Sequence, residues 1–169
     1  MIIREINASD TEAFLNLTAE VERTSDFMLW EEGERTITAA DQRNRIEAMK
    51  QSENSTILLA EVNNKLAGYV MAFGGNAKRN KHSAYLVAGV LKEYRGIGIG
   101  TELFKEMEKW AVDHGIHRLE LTAVTQNEAG VALYKKIGFE IEGTKRDSLF
   151  IGGRYVDEYY MGKLIFPDD

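Results

Sequence analysis

Cysteine is absent from this chain of 169 residues, and proline occurs once, at Pro167. The lack of thiols excludes disulfides, thiolate metal ligands and a cysteine nucleophile together. Long hydrophobic runs are missing as well. No segment has the uninterrupted apolar length that spans a bilayer, and the opening Met-Ile-Ile-Arg-Glu lacks the basic-then-apolar order of a signal peptide. The expectation is a cytoplasmic protein with no membrane partner. Positive charge is not in excess either: the net charge is −6, and residues 1–75 carry 7 basic and 13 acidic side chains against 14 of each in residues 76–169. Without the basic patch that a phosphate backbone demands, nucleic acid is not an expected partner. Within the acidic half, Glu20, Glu22, Glu31, Glu32 and Glu34 read either as solvated faces or as a field that attracts a cation.

What is present fits one domain over residues 1–169, with mixed α and β periodicity and no internal repeat. Ile2 to Ile6 reads as a strand. Ser9 ahead of Asp10-Thr11-Glu12 reads as a helix cap, and Phe14, Leu17 and Val21 recur at helical spacing behind it. Between Thr24 and Ile37 periodicity fades. There Phe27, Met28, Leu29 and Trp30 stand beside Glu31-Glu32-Gly33-Glu34, which reads as core filling or as a binding loop over a site. Thr38-Ala-Ala-Asp41 resembles a capping box and opens a second helix to about Lys50. Thr56–Val62 and Lys65–Gly74 are β-prone runs joined by Asn63-Asn64, a hairpin signal. After a polar loop comes the run Tyr85–Leu91, then a third helix from about Ile99 that ends at His114-Gly115. Leu119, Leu121 and Ala123 alternate in a fifth strand, Glu128–Ile137 forms a short helix, and Phe139–Thr144 and Tyr155–Ile165 close the sheet around Gly152-Gly153.

The most informative stretch is Gly89-Val-Leu-Lys-Glu-Tyr-Arg-Gly-Ile-Gly-Ile-Gly-Thr101. Strand, glycine turn and helix follow one another here. Gly96, Gly98 and Gly100 remove Cβ atoms where a ligand can lie, and the N–H groups of Arg95, Gly96, Ile97, Gly98, Ile99, Gly100 and Thr101 can converge on one point at a helix N-terminus. An anion, above all a phosphate or diphosphate, is the natural occupant. Spacing separates the alternatives. A Walker-type loop needs Gly-Lys-Ser/Thr, and Gly100 is followed by Thr101 and Glu102. A dinucleotide fingerprint spaces its glycines as G-x-G-x-x-G, whereas this turn reads G-x-G-x-G; a dinucleotide enzyme therefore stays a minor reading.

Arg95-x-x-Gly98-x-Gly100, set between a strand and a helix, resembles the pyrophosphate loop of the GNAT superfamily of acyl-CoA-dependent N-acyltransferases. Downstream, Asn127-Glu-Ala-Gly-Val-Ala-Leu-Tyr134-Lys-Lys-Ile-Gly138-Phe139 resembles the second signature of that family. Together the two cover Tyr85 to about Glu142. The resemblance implies an α/β (α+β) fold with a single mixed, mostly antiparallel twisted sheet of about seven strands and four flanking helices. It also implies a splayed central strand pair that forms an acyl-CoA cleft. Acetyl-CoA is the implied co-substrate, and a small amine or peptide N-terminus the implied acceptor. With no thiol available, the transfer would be direct.

By the same resemblance, a bulged strand at Gly89, Val90 and Leu91 pairs with the pantetheine arm, and an N–H near Val90 stabilises the oxyanion. Asn127 hydrogen-bonds the pantetheine region or caps its helix. Tyr134 protonates the leaving thiolate, or is simply a core tyrosine with a wet hydroxyl. Glu120 is the positional choice of general base, as a buried carboxylate with its pKa raised; a surface ion pair is the other reading. Glu31, Glu32 and His82 are weaker choices. His114-x-x-His117 lacks partners at ligand spacing, so no metal is expected. The chain departs from the common family pattern in carrying Lys92-Glu93-Tyr94 where a proline often precedes the loop. The run Gly143–Gly162 resembles branches acting on peptide N-termini, amino acids or polyamines. A CoA-binding module without transfer activity is the rival reading, and a homodimer is left open.

Overall fold

Asn63 and Asn64 adopt φ of 51° and 64° in the computed structural model, which describes residues 1–167. Two consecutive left-handed residues make the tight turn that matches the twist of a hairpin. That turn joins β2 (Thr56–Val62) to β3 (Lys65–Gly74). At the other end of the chain Gly152 and Gly153, with φ of 61° and 78°, do the same for β6 (Glu140–Ile151) and β7 (Arg154–Leu164). With β1 (Ile2–Glu5), β4 (Ser83–Val90) and β5 (Arg118–Val124) they form one seven-stranded sheet in the order β1-β2-β3-β4-β5-β7-β6. Each neighbouring pair is antiparallel except β4 and β5, which run parallel.

Four helices cover the two faces: α1 (Thr11–Thr24), α2 (Ala39–Gln51), α3 (Ile99–Asp113) and α4 (Glu128–Lys136). The alternation along the strands assigns the faces. Leu58, Val70, Ala72, Ala84, Leu86, Leu119 and Leu121 point to one side, where they bury Leu103, Phe104, Met107 and Trp110 of α3 and Val131 of α4. Ile57, Leu59 and Tyr69 point to the other and meet Phe14, Leu17 and Val21 of α1 with Ile46 of α2. Phe14 stands edge-on to Tyr69 with ring centroids 5.6 Å apart, a favoured aromatic geometry.

Two local expectations are corrected. Ser9 is not the first cap: Asn7 caps a 3-10 turn over Ala8–Asp10, and Asp10 answers by accepting from the Asn7 N–H at 2.9 Å. Asp10 is recruited there because Arg4 binds it through both terminal nitrogens at 2.8 Å, and this guanidinium holds the carboxyl below its ordinary pKa. The sixth strand is also longer than Phe139–Thr144. It runs on to Ile151 through irregularities between Ile141 and Gly143 and between Lys145 and Leu149, which break the alternation that would reveal it. Thr38 does cap α2, accepting from the Asp41 N–H at 3.0 Å.

Gly89 is where the two layers come closest. A Cβ there would lie 2.7 Å from Val21 Cγ1 and 2.9 Å from two ring carbons of Tyr69, so glycine lets α1 sit against the centre of β4. Gly89→Ala is expected to destabilise the fold by about 1–3 kcal/mol through overpacking. A lower urea midpoint at unchanged m-value checks this; an unchanged midpoint contradicts it.

Candidate active site

β4 and β5 part company early. Their ladder covers Ser83–Tyr85 against Arg118–Glu120 and goes no further, while β4 continues to Val90 and β5 to Val124. A side-chain bridge, Tyr85 Oη to Thr122 Oγ1 at 2.7 Å, is the last tie across the gap. Beyond it the two strands bound a wedge, as the splayed pair implied.

Main-chain direction can be read at the mouth of this wedge. Leu91 N–H donates to Ala67 O at 2.9 Å, toward β3. Because N–H groups alternate sides along an extended strand, the N–H of Val90 faces the wedge. The Val90 carbonyl faces the same way and accepts from Arg95 Nε at 3.3 Å. The bulge expected on this strand is absent: β4 keeps regular register with β3 from Gly68↔Val90 to Gly74↔Ala84. Regular alternation suffices to aim Val90 into the gap. Gly89 pairs with Tyr69 on β3, and its lack of a side chain serves the α1 contact described above.

The turn that follows is a row of unclaimed donors. Tyr94 and Arg95 N–H close a 3-10 turn on Leu91 O and Lys92 O, so Arg95 contributes its side chain but not its amide. From Gly96 through Ile97, Gly98, Ile99 and Gly100 to Thr101, no N–H has an acceptor among the described residues, and Glu102 N–H is the first to bond back, to Gly98 O. No side chain caps α3. A helix N-terminus without a cap leaves its orphan amides and positive dipole end for an external anion.

The three glycines divide the labour differently from the expected common cradle. Gly96 and Gly98 sit at φ of 78° and 91° with open space where a Cβ would be, so they shape the turn. Gly100 serves packing, since a Cβ there would stand 2.8 Å from Leu133 Cδ2 on α4.

α4 brings the remaining groups. Asn127 caps it, accepting from Gly130 N–H at 3.1 Å. Its amide nitrogen donates to no atom among the described residues, so capping and ligand contact are compatible. Tyr134 packs between Phe104 and Phe139, edge-on to Phe104 at 5.6 Å. Its hydroxyl makes no hydrogen bond among the described residues, and burial, with a smaller contribution from Tyr85, pushes its pKa up to about 12.

Glu120 is not the buried carboxylate expected. It occupies the last paired position, at the closed end of the wedge, about 16 Å of strand from Val90. Its side chain is 40% exposed and bonded to Arg118 Nε at 2.9 Å, and the same guanidinium grips Glu142. The physical reason is coverage: α1 and α2 pack on the β2, β3 and β4 part of this face, and no helix is laid over Glu120. His82 also lies at the closed end, its carbonyl accepting from His117 and Arg118 N–H. His114 Nδ1 is 2.8 Å from Trp110 O, and His117 Nδ1 is 3.2 Å from Ile165 O.

Sequence reasoning did not single out Tyr69 or Arg35. Tyr69 is 1% exposed, and its ring abuts Gly89. Burial raises its pKa, and so does Glu22, whereas Arg35 lowers it and Tyr134 adds a smaller rise. Tyr69 and Tyr134 belong to the layers on opposite faces of the sheet. Of the acidic side chains in the first half, Asp10 and Glu22 are buried, Asp10 paired with Arg4 and Glu22 with Arg35.

A parted parallel strand pair that opens onto an amide-lined turn is an arrangement able to seat an acyl-CoA, and the class it points to is that of acetyl-CoA-dependent transferases. Residues 19–139 match the model of the acetyltransferase (GNAT) family, and the chain belongs to that family. It is 31% identical to the L-amino acid N-acetyltransferase AaaT of Escherichia coli (strain K12) over 166 residues, which cover 96% of this chain and 90% of that protein. The crystal structure of a GNAT-family acetyltransferase from Streptococcus pneumoniae superposes with a TM-score of 0.94 at 33% identity, covering 98% of this chain and 99% of that one. The fold is shared by a Salmonella typhimurium protein solved with its cofactor acetyl-CoA, with a TM-score of 0.87 at 19% identity over 100% of this chain and 96% of that one.

Gly98→Val tests the turn. A β-branched residue at this φ is strained by about 1–2 kcal/mol, which for a chain of this size lowers Tm by only a few degrees. CoA affinity measured by calorimetry is expected to fall at least about tenfold, because the amides no longer converge. Unchanged affinity contradicts the assignment.

Proposed function

We propose that this protein transfers the acetyl group of acetyl-CoA directly to a primary amine, without a covalent enzyme intermediate. The observation that carries the reading is the run of unclaimed N–H groups from Gly96 to Thr101, followed on the other side of the wedge by an uncommitted tyrosine hydroxyl. When bound, acetyl-CoA supplies an activated thioester carbonyl and a thiolate leaving group.

The residues then divide into holding and proton handling. The amides of Gly96–Thr101, with Arg95 beside them, hold the diphosphate. Ala88 and Val90 lie on the free edge of β4, where alternate main-chain groups can pair with an amide-bearing arm. Asn127 donates its side-chain amide to the same arm. Val90 N–H stands where negative charge develops on the carbonyl oxygen, and a donor so placed is worth a few kcal/mol of barrier. Tyr134 gives its proton to the departing sulfur. A hydroxyl with its pKa raised to about 12 is protonated throughout the neutral range, as an acid must be before it acts.

Proton removal from the amine is assigned to solvent at the wedge mouth. Glu120 is committed to Arg118 at the closed end, which supports a positioning role within the Arg118–Glu142 network. The rival reading, a CoA-binding module without transfer, has no use for an unbonded, half-buried tyrosine beside the wedge.

The test is thiol release from acetyl-CoA across a panel of primary amines, in the parent and in Tyr134→Phe. The parent is expected to release thiol with at least one amine. Tyr134→Phe is expected to lower kcat by about 100-fold or more with the CoA dissociation constant within about threefold of the parent. The sign of the pKa shift sets what Tyr134 adds to the pH profile: the acid is lost only as pH climbs through its raised value, so the parent rate, divided by the free-base fraction of the amine, shows no fall between pH 8.5 and 10. CoA binding with no release from any amine supports the module instead, and equal turnover in the two proteins removes Tyr134 from the chemistry.

A further inference from the structure

Glu22 lies in the last turn of α1, one residue after Val21, the side chain that packs over Gly89. It is 8% exposed, and its carboxylate is bonded to Arg35 Nη2, from the loop between α1 and α2. The Arg35 guanidinium also lies over the Trp30 ring, 5.6 Å from its centroid, which fixes the plane of the fork. One consequence is unusual. Arg35 Nε is shielded from solvent and has no hydrogen-bond partner among the described residues. A buried guanidinium nitrogen left without an acceptor is costly, and an incoming oxygen removes that cost.

The position of this pair relative to the wedge follows from Tyr69. Its ring carbons touch the Cβ position of Gly89, next to Val90. Val21 Cγ1 meets the same Cβ position from α1, and Glu22 is the next residue on that helix. The charged pair therefore stands on the α1 side of the opening, across from the tyrosine that faces the sulfur. That is the side from which an amine reaches the thioester without displacing the CoA arm.

We infer that Arg35, braced by Glu22 and Trp30, receives the carboxylate of the acceptor, so that the site selects free α-amino acids over peptide N-termini and polyamines. This deepens the reading of the chain as an amine acetyltransferase and rests on it. The chemistry is charge complementarity. A zwitterion matches an ion pair presented edge-on, its carboxylate meeting the guanidinium and its ammonium lying toward Glu22 before it loses a proton. A polyamine brings only positive charge to Arg35. A peptide N-terminus places an amide where the carboxylate belongs, leaving the guanidinium nitrogen without an anionic partner. Arginine rather than lysine suits the position, because the planar fork can hold Glu22 with one nitrogen and an incoming oxygen with another.

The experiment compares free amino acids with their carboxamides, such as leucine with leucinamide and phenylalanine with phenylalaninamide. The full chain is assayed at saturating acetyl-CoA, with each rate divided by the free-base fraction of the amine. The parent is expected to favour the acid by about 10- to 100-fold in kcat/KM. Arg35→Lys tests the fork. The double variant Glu22→Gln with Arg35→Gln leaves no buried charge unpaired, so it guards against a folding defect. In both, the acid-to-amide ratio is expected to collapse to within about threefold, chiefly through KM. Equal use of acid and amide by the parent, or a preference retained in Arg35→Lys, overturns the inference while acetylation stands. If no amine is acetylated, the transfer reading fails separately. Calorimetric titration of the CoA-loaded protein with the same pairs then decides this inference: acid-selective binding that Arg35→Lys abolishes upholds it, and its absence overturns it.

Discussion

Main-chain N–H groups that find no acceptor are the constraint around which this molecule is built. A buried donor left unpaired costs about 1–3 kcal/mol, so a sheet normally keeps its ladders closed. Here β5 leaves β4 after three paired positions, and the turn beyond β4 presents amides from Gly96 to Thr101 with no internal partner. Such an arrangement persists only where water or a ligand can reach it, and it puts a row of free donors on one continuous segment. The rest of the fold holds this segment in place. Ile99, Leu103 and Met107 root α3 in the core, Leu133 against Gly100 sets α4 beside it, and Val21 against Gly89 fixes α1 from the other face.

Because the wedge passes through the sheet, it joins two chemical environments. α4 delivers an asparagine and a tyrosine from one side. α1 and the following loop carry a carboxylate, a guanidinium and an indole on the other. Tyr69 and Tyr134 belong to the separate hydrophobic layers on the two faces of the sheet. The proposed direct transfer is consistent with a chain that has no cysteine to carry an acyl group.

Much of this was legible in the residues, and the parts that were not share a cause. The strand, glycine turn and helix around Arg95–Thr101, and the asparagine, tyrosine and Gly-Phe that follow, are local patterns, and the family they resemble is the family to which the chain belongs. The Asn63-Asn64 and Gly152-Gly153 turns were equally local. Glu120 was misjudged because alternation along β5 tells which face a side chain takes but not whether a helix covers that face. Gly100 looked like one of three equivalent cradle glycines because its real neighbour, Leu133, lies 33 positions further along the chain on another helix and is invisible to spacing. Arg35 sits where periodicity has faded, and its partner Glu22 belongs to a different element. The far half of β6 was hidden by its own bulges, with Asp147 at φ of 50° interrupting the pattern.

The central claim is that the amides of one turn grip a diphosphate. Amide NMR of the isotope-labelled full chain, titrated with CoA and separately with pantetheine, reads those groups one by one. The account predicts that CoA shifts the signals of Gly96 through Thr101 together with that of Val90, and that pantetheine, which has no diphosphate, leaves the Gly96–Thr101 set in place. Gly96–Thr101 signals that stay unmoved at saturating CoA would contradict it.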